Sequence, residues 1–262
     1  MQNASSQSSS SSFDVALVIF AAILQIVVSF LSSLGVGTPI GENSERVSTL
    51  VTPAAWAFSI WGALYLGALI FAAYQALSAQ RNDALIAQIR RPAALAFLAN
   101  ASWATYVQLV DVTFVSVIII LTGLAGALLA LRRLSSWPRQ LSKGQFWCVA
   151  VPLTSLAAWL TAAAIANISS SLRFHGVDAE AALAPTVAGV VLIIGGLIAG
   201  AALARSKGCP PYALVFLWAL AAIFADGGQR APVVAAASGV AAVIVIASTA
   251  YGLRRSHGHW IG

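Results

Sequence analysis

Eight apolar runs, most of them about 20 residues long, follow one another between residues 13 and 253. No water inside a bilayer satisfies backbone N–H and C=O groups, so a segment of that length crosses it as an α-helix. A membrane barrel would instead show alternating segments of about ten residues. The expected spans are residues 13–36, 53–78, 92–110, 112–131, 146–168, 185–204, 211–225 and 231–253. The sequence therefore predicts an all-α integral membrane protein, a bundle of about eight transmembrane helices.

The scarcity of charge supports the same conclusion. Charged residues make up 8% of the 262 positions and hydrophobic residues 60%, whereas a soluble domain carries about 25% charged residues. So few charges cannot cover a water-exposed surface, which excludes a soluble enzyme. The net charge of +6 does not indicate a nucleic-acid partner, because the arginines flank apolar runs and form no basic patch. The expected partner of this surface is the lipid bilayer.

The basic residues predict the orientation in the membrane. With eight spans and a cytoplasmic N-terminus, eleven lysines and arginines lie on the cytoplasmic side, and only Arg46, Arg173 and Arg230 lie outside. Cytoplasmic loops carry an excess of Lys and Arg, so both termini are predicted to be cytoplasmic. The serine-rich residues 1–12 are expected to be disordered, and residues 254–262 to form a basic, solvated tail that includes His257 and His259.

Aromatic residues mark one face of the second span. Phe58, Trp61 and Tyr65 are spaced i, i+3 and i+7, so they share a helix face. Trp56 lies at the membrane entrance, where an interfacial aromatic belt explains it. Trp61 and Tyr65 lie one to two turns deeper, which favours the wall of a cavity.

Two later spans combine a tryptophan with an amide. Asn100 and Trp103 are three residues apart in the third span, and Trp159 and Asn167 are eight apart in the fifth. An amide in hydrocarbon must find a partner. Two interpretations stay open at this point: hydrogen bonds that join helices, or a polar group beside the aromatic walls of a cavity.

These residues carry a resemblance to a known family. The segments WAFSIWGALY (56–65), LANASW (98–103) and the W-x7-N spacing of 159–167 resemble the TspO/MBR family, also called translocator proteins or tryptophan-rich sensory proteins. The resemblance covers residues 13–173 and is closest to the longer bacterial-type proteins. Residues 185–253 then form three additional helices beyond a five-helix fold.

The resemblance implies a function. TspO-like proteins are five-helix bundles whose pocket opens toward the first loop and binds flat hydrophobic ligands, chiefly tetrapyrroles such as protoporphyrin and haem. It also implies a receptor or carrier in a bacterial-type inner membrane, with a bound porphyrin or haem as ligand rather than a required cofactor; some members are said to degrade porphyrins. Tryptophan faces stack on flat π-systems and amides orient a polar edge. The expected ligand-binding residues are Trp56, Phe58, Trp61, Tyr65, Asn100, Trp103, Trp159 and Asn167.

The remaining polar residues form no catalytic constellation and no metal site, so the protein is not expected to be an enzyme. Asp111 and Asp226 end the third and seventh spans, where a salt bridge or a helix cap explains them. No histidine lies inside a span to ligate a haem iron. His175 lies in the loop after the fifth span.

The sixth span carries a glycine motif. Gly196 and Gly200 form G-x-x-x-G, which permits close helix approach. Packing against the small residues 235–239 of the eighth span is expected, with a homodimer or a membrane-complex partner as the alternative. Two other functions also remain open: a small-metabolite exporter, because of the extra spans, and a structural or assembly subunit of a membrane complex.

Overall fold

The computed structural model of the chain describes residues 2–256 and 258–260, and this part contains eight long helices and no strand. In chain order the helices are α1 (Gln2–Ser29), α2 (Ile60–Ala76), α3 (Ala84–Leu109), α4 (Phe114–Ser135), α5 (Val151–Phe174), α6 (Ala184–Arg205), α7 (Pro210–Arg230) and α8 (Pro232–Ser256). A short loop helix, Ile40–Arg46, lies in the first loop. The predicted all-α membrane bundle is confirmed.

Seven of the eight helices are long and apolar enough to cross a membrane. The exception is α3, which has 26 residues and so spans about 39 Å at 1.5 Å per residue. Its apolarity falls short because it carries Arg90, Arg91 and the amides Asn100 and Gln108. It is shielded from lipid by packing between α1 and α4. Length and composition therefore select seven of the eight predicted spans. In α3, Arg90, Asn100 and Gln108 are buried, whereas Arg91 is exposed.

The first five helices pack as a closed ring. α1 contacts α2 and α3, α4 contacts α3 and α5, and the ring closes where α2 meets α5. Helices α6, α7 and α8 pack on one another, with α8 against both partners, and this group contacts the ring mainly through α5 and α7. The ring and the three-helix group thus share a wall.

Helix α3 begins eight residues before the predicted span. The Asp83 side chain caps it by accepting hydrogen bonds from the backbone N–H groups of Leu85 and Ile86, at 2.8 and 2.9 Å, which satisfies two donors of the first turn. The expectation that Pro92 opens the helix is therefore wrong, because Pro92 lies inside it. Buried Arg90 then lies in the helix and donates to Gln75 Oε1 at 2.9 Å.

Both chain ends differ from the sequence prediction. Helix α1 begins at Gln2, so residues 2–12 of the serine-rich segment continue the helix instead of being disordered, since adding a turn to a formed helix costs little. At the other end the predicted solvated tail is also wrong. His259 and Trp260 are buried, and the Trp260 indole N–H donates to the carbonyl oxygens of Ser206 and Lys207 at 3.0 and 3.1 Å.

The glycine motif of α6 packs against α8 of the same chain. A Cβ at Gly196 would lie 2.8 Å from the Ala241 Cβ, and one at Gly200 would lie 2.9 Å from Ile244 Cγ2. Gly189 faces Val233 and Ala237 in the same way, nearer the start of α8. Because α8 covers this face, a homodimer through Gly196 and Gly200 would require α8 to move away.

Candidate functional site

A cavity of about 660 Å³ lies at the end of the ring where the first loop crosses it. Its walls come from the end of α1, the loop helix, the segment 48–58, the start of α2, Trp103 of α3 and the end of α7. The lining residues are Ser29, Phe30, Ile40, Gly41, Ser44, Glu45, Ser48, Thr52, Pro53, Ala54, Ala55, Phe58, Trp61, Gly62, Tyr65, Trp103, Asp226 and Arg230. Its volume is typical of small-molecule sites, which measure about 300–1,000 Å³.

The start of α2 supplies the aromatic wall. The α-helix begins only at Ile60, after a tight 3-10 turn at Ala55–Ser59. Phe58 therefore lies in the turn, and the predicted single helix face starts at Trp61. The Trp61 and Tyr65 rings stack with centroids 5.4 Å apart and an interplanar angle of 29°.

Trp159 of α5 forms the floor beneath these rings. Its ring lies edge-on to Trp61 at 6.1 Å and to Phe58 at 6.0 Å, a favourable geometry for aromatic pairs. A smaller cavity of about 50 Å³, lined by Phe58, Trp61, Trp103, Trp159 and Asn167 among others, continues the main one toward α5. The expected convergence of Trp61 and Trp159 inside the bundle is observed.

The indole N–H of Trp159 has no hydrogen-bond partner among the residues that the structure describes. The side chain is only 2% exposed, and leaving a buried donor unsatisfied costs about 1–3 kcal/mol.

The two amides have different surroundings. Asn167 accepts a hydrogen bond from the Trp103 indole N–H at 2.6 Å and donates to Ser116 Oγ at 2.8 Å, which joins α3, α5 and α4. Asn100 is buried, donates to Gln25 Oε1 at 3.0 Å and lines neither cavity. Both amides therefore act as interhelical hydrogen-bonding groups, and Asn167 also reaches the cavity wall.

Trp56 lies outside the cavity. Its side chain is 47% exposed, and its ring packs edge-on against Trp218 of α7 with centroids 4.8 Å apart. This position agrees with the interfacial interpretation of Trp56 and places it behind the wall that carries Phe58.

Helix α7 holds that wall in place. The backbone N–H of Ala54 donates to the Ala222 carbonyl oxygen at 3.1 Å, and the Trp218 indole N–H donates to the Ala57 carbonyl oxygen at 3.2 Å. A Cβ at Gly227 would overlap the carbonyl oxygen of Leu50, so only glycine permits this close approach. The cavity wall is thus fixed from the side of the three-helix group.

Sequence reasoning missed the polar lining of the cavity. Glu45 comes from the loop helix, and Asp226 and Arg230 come from the last turns of α7. Asp226 pairs with Arg230, and Asp111 forms a 2.7 Å ion pair with Arg46, as expected for helix-end acids. No pattern in the sequence links residue 226 to residue 61, because the link depends on how α7 packs against the first loop.

A family model described as TSPO-like protein matches residues 15–251. The chain belongs to the TSPO-like protein family. The match continues past residue 173 and ends at residue 251 in the last turns of α8, so the three-helix group lies within the matched region. Neither the curated proteins nor the solved structures give a match.

Family membership assigns a coarse function. A TSPO-like protein is an integral membrane protein of a ligand-binding and generally non-enzymatic family. Among the described residues, no group of three or more His, Cys, Asp or Glu side chains could hold a metal ion. Near the cavity, Asp226 and Arg230 form an ion pair, and Asn167 joins helices through its hydrogen bonds.

Proposed function

We propose that this protein is a membrane receptor or carrier that binds a flat hydrophobic ligand, most specifically a tetrapyrrole such as protoporphyrin or haem, in the 660 Å³ cavity. The observation that supports it best is the aromatic corner formed by Trp61, Tyr65 and Trp159. Stacked and perpendicular rings at the base of an open cavity offer one flat face and one edge to a planar π-system. Trp159 adds a third ring to this corner, edge-on to both Trp61 and Phe58.

The predicted topology indicates on which side of the membrane the cavity opens. The cavity lies at the end where α1, α3, α5 and α7 finish and α2 begins. With both termini cytoplasmic, this end faces away from the cytoplasm. A carrier would therefore take up its ligand from the outer side of a bacterial-type inner membrane.

Titration of the purified protein with protoporphyrin tests the proposal. Binding is followed by the shift of the porphyrin absorbance, which does not depend on the number of tryptophans left in a variant. We expect saturable binding and a loss of roughly three- to tenfold in affinity for Trp61→Ala, since an aromatic contact contributes about 0.5–1.5 kcal/mol beyond buried area. Trp147→Ala is the matched control, because Trp147 is 65% exposed and lines neither cavity.

Thermal midpoints measured on the same samples separate binding from folding. Trp61→Ala should unfold within a few degrees of the wild type, because Trp61 is half-buried. Absence of porphyrin binding by the folded wild type, or equal affinities of Trp61→Ala and Trp147→Ala, would contradict the proposal. The small-metabolite exporter and the membrane-complex subunit would then be the functions to test.

A further inference from the structure

We propose that α7 determines which end group the cavity accepts, and that Arg230 binds a carboxylate on the rim of the ligand. This rests on the proposed function, because it concerns the same cavity. The aromatic corner recognises the flat body of a ligand and does not distinguish an acid from its ester. The charged side chains of the lining are the groups that can.

Three charged residues line the main cavity: Glu45, Asp226 and Arg230. Asp226 and Arg230 lie four residues apart in the last turns of α7, with side chains 42% and 49% exposed. Both therefore remain in contact with solvent at the mouth of the cavity. The apolar and aromatic residues lie deeper, so a ligand with an apolar body and a polar edge fits this gradient. The mouth carries two acids and one base, and Arg230 is the lining residue that attracts a carboxylate.

The guanidinium of Arg230 is held in place by hydrogen bonds through one of its three nitrogen atoms. Its Nη2 donates to Asp226 Oδ2 and, at 3.4 Å, to the Thr49 carbonyl oxygen. Its Nε and Nη1 groups have no partner among the described residues. Arginine carries five N–H donors in a planar fork that suits bidentate binding of carboxylates. Asp226 and Thr49 hold the fork while N–H groups remain for a ligand.

Glu45, also at the mouth of the cavity, disfavours a carboxylate on the ligand. Its carboxylate is exposed and has no partner in the part of the chain that the structure describes. A ligand carboxylate near Glu45 is repelled, whereas one near Arg230 is attracted. The lining therefore predicts effects of opposite sign for neutralising these two residues, which a general change in surface charge does not produce.

The contacts of α7 with the first loop keep Arg230 at the mouth. The Ala54 N–H to Ala222 hydrogen bond and the close approach of Gly227 to Leu50 fix α7 against the segment that forms the wall. Arg230 thus acts from a helix rather than from a mobile loop, which lowers the entropy lost when it binds an anion.

The test compares two ligands of the same flat shape: protoporphyrin, which has two carboxylates, and its dimethyl ester, which has none. Affinities are measured for the wild type, Arg230→Gln, Glu45→Gln and the control Arg173→Gln. Arg173 lies at the same end of the bundle and contacts the Ser48 carbonyl oxygen, but it does not line the main cavity.

For Arg230→Gln we expect the affinity for the acid to fall about tenfold while that for the ester changes less than twofold, as for loss of a charge-assisted hydrogen bond. Glu45→Gln should raise the affinity for the acid by about two- to threefold. Arg173→Gln should leave the ratio of the two affinities unchanged. Arg230→Lys keeps the positive charge and loses the planar fork of N–H donors. Its affinity for the acid should therefore lie between those of the wild type and Arg230→Gln.

The outcomes separate the two proposals. If the folded wild type binds neither porphyrin, the proposed function fails. If it binds both, and Arg230→Gln lowers both affinities equally or changes neither, the role of Arg230 is wrong while porphyrin binding stands. A loss in Arg173→Gln equal to that in Arg230→Gln would assign the preference to overall charge at this end and would also overturn the role of Arg230.

Discussion

The Trp103 indole nitrogen and Asn167 Oδ1 lie 2.6 Å apart, so a hydrogen bond links α3 with α5, two helices that are not neighbours in the ring. This hydrogen bond connects a residue of the main cavity with one of the small cavity. Asn167 also donates to Ser116 Oγ of α4. The cavity wall and the packing of three ring helices therefore depend on the same amide.

Replacing Asn167 by leucine should lower the stability of the protein. The change leaves the buried Trp103 N–H without its acceptor, at a cost of about 1–3 kcal/mol for an unsatisfied buried group. It also removes the amide donor to Ser116 Oγ, although the Ser116 hydroxyl still donates to the Thr113 carbonyl oxygen. We expect a lower thermal midpoint of the detergent-solubilised protein. Ser169→Ala, which removes only a hydrogen bond within α5, is the control and should unfold near the wild-type temperature. Equal midpoints for the two variants would contradict a structural role of Asn167.

Asn100→Leu should act on stability rather than on ligand preference. Asn100 donates to Gln25 between α3 and α1 and lines neither cavity. Breaking an interhelical hydrogen bond in a membrane bundle costs about 0.6–2 kcal/mol. The measurement is the thermal midpoint together with the affinity for protoporphyrin. A changed affinity at an unchanged midpoint would place Asn100 in the binding site, as the sequence pattern predicts.

Trp218→Phe tests whether α7 holds the cavity wall. The substitution removes the indole N–H that binds the Ala57 carbonyl oxygen and keeps an aromatic ring beside Trp56. We expect faster protease cleavage within the segment 48–58, because that segment loses one of its anchors on α7. Trp147→Phe, at an exposed position, is the control and should be cleaved like the wild type. Wild-type cleavage of Trp218→Phe would show that the hydrogen bond is dispensable.

The docked C-terminus should be sensitive to pH through His259. The ring nitrogens lie 3.0 Å from the Leu134 carbonyl oxygen and 3.1 Å from Lys207 Nζ. The neutral ring satisfies both, since Nε2–H donates to Leu134 and Nδ1 accepts from the ammonium group. Burial lowers the pKa of His259 below its ordinary value of 6.5 and is the largest effect. The hydrogen bond to the Leu134 carbonyl, the next largest, raises this pKa, and the charge of Lys207 lowers it again.

Because the folded protein holds this histidine less protonated than the unfolded chain does, the stabilisation is complete above the ordinary pKa and is lost as the pH falls below it. We expect the wild type to unfold at a lower temperature at about pH 5 than at about pH 7.5, with a smaller difference for His259→Gln, whose side chain does not titrate in this range. The same difference in both proteins would assign the pH dependence to other groups.

The orientation in the membrane rests on the distribution of basic residues. Eleven of the fourteen lie on the predicted cytoplasmic side, so a reporter fused after Gly262 should be active inside the cell. A C-terminal tag that is accessible from outside in intact cells would invert the predicted topology, and with it the side on which the cavity opens.

Several features follow from local sequence. The apolar runs predict the helices because a backbone in hydrocarbon has no alternative to internal hydrogen bonds. The WAFSIWGALY, LANASW and W-x7-N segments indicate the family, and this requires no knowledge of the contacts between helices. Of the eight predicted site residues, six line one of the two cavities. Trp56 and Asn100 do not, because spacing along a helix shows which residues share a face but not what that face contacts.

The tertiary structure alone decided the rest. Glu45, Asp226 and Arg230 reach the mouth of the cavity because the loop helix and the end of α7 meet above the ring. Trp260 docks on the α6–α7 loop and His259 on the end of α4, because the buried indole and the buried imidazole each find a backbone carbonyl oxygen at these places. The apolar runs determined that this chain folds as membrane helices, since that requirement applies to each segment separately. Which helices enclose the cavity depends on contacts between residues more than 150 positions apart, and no local periodicity encodes them.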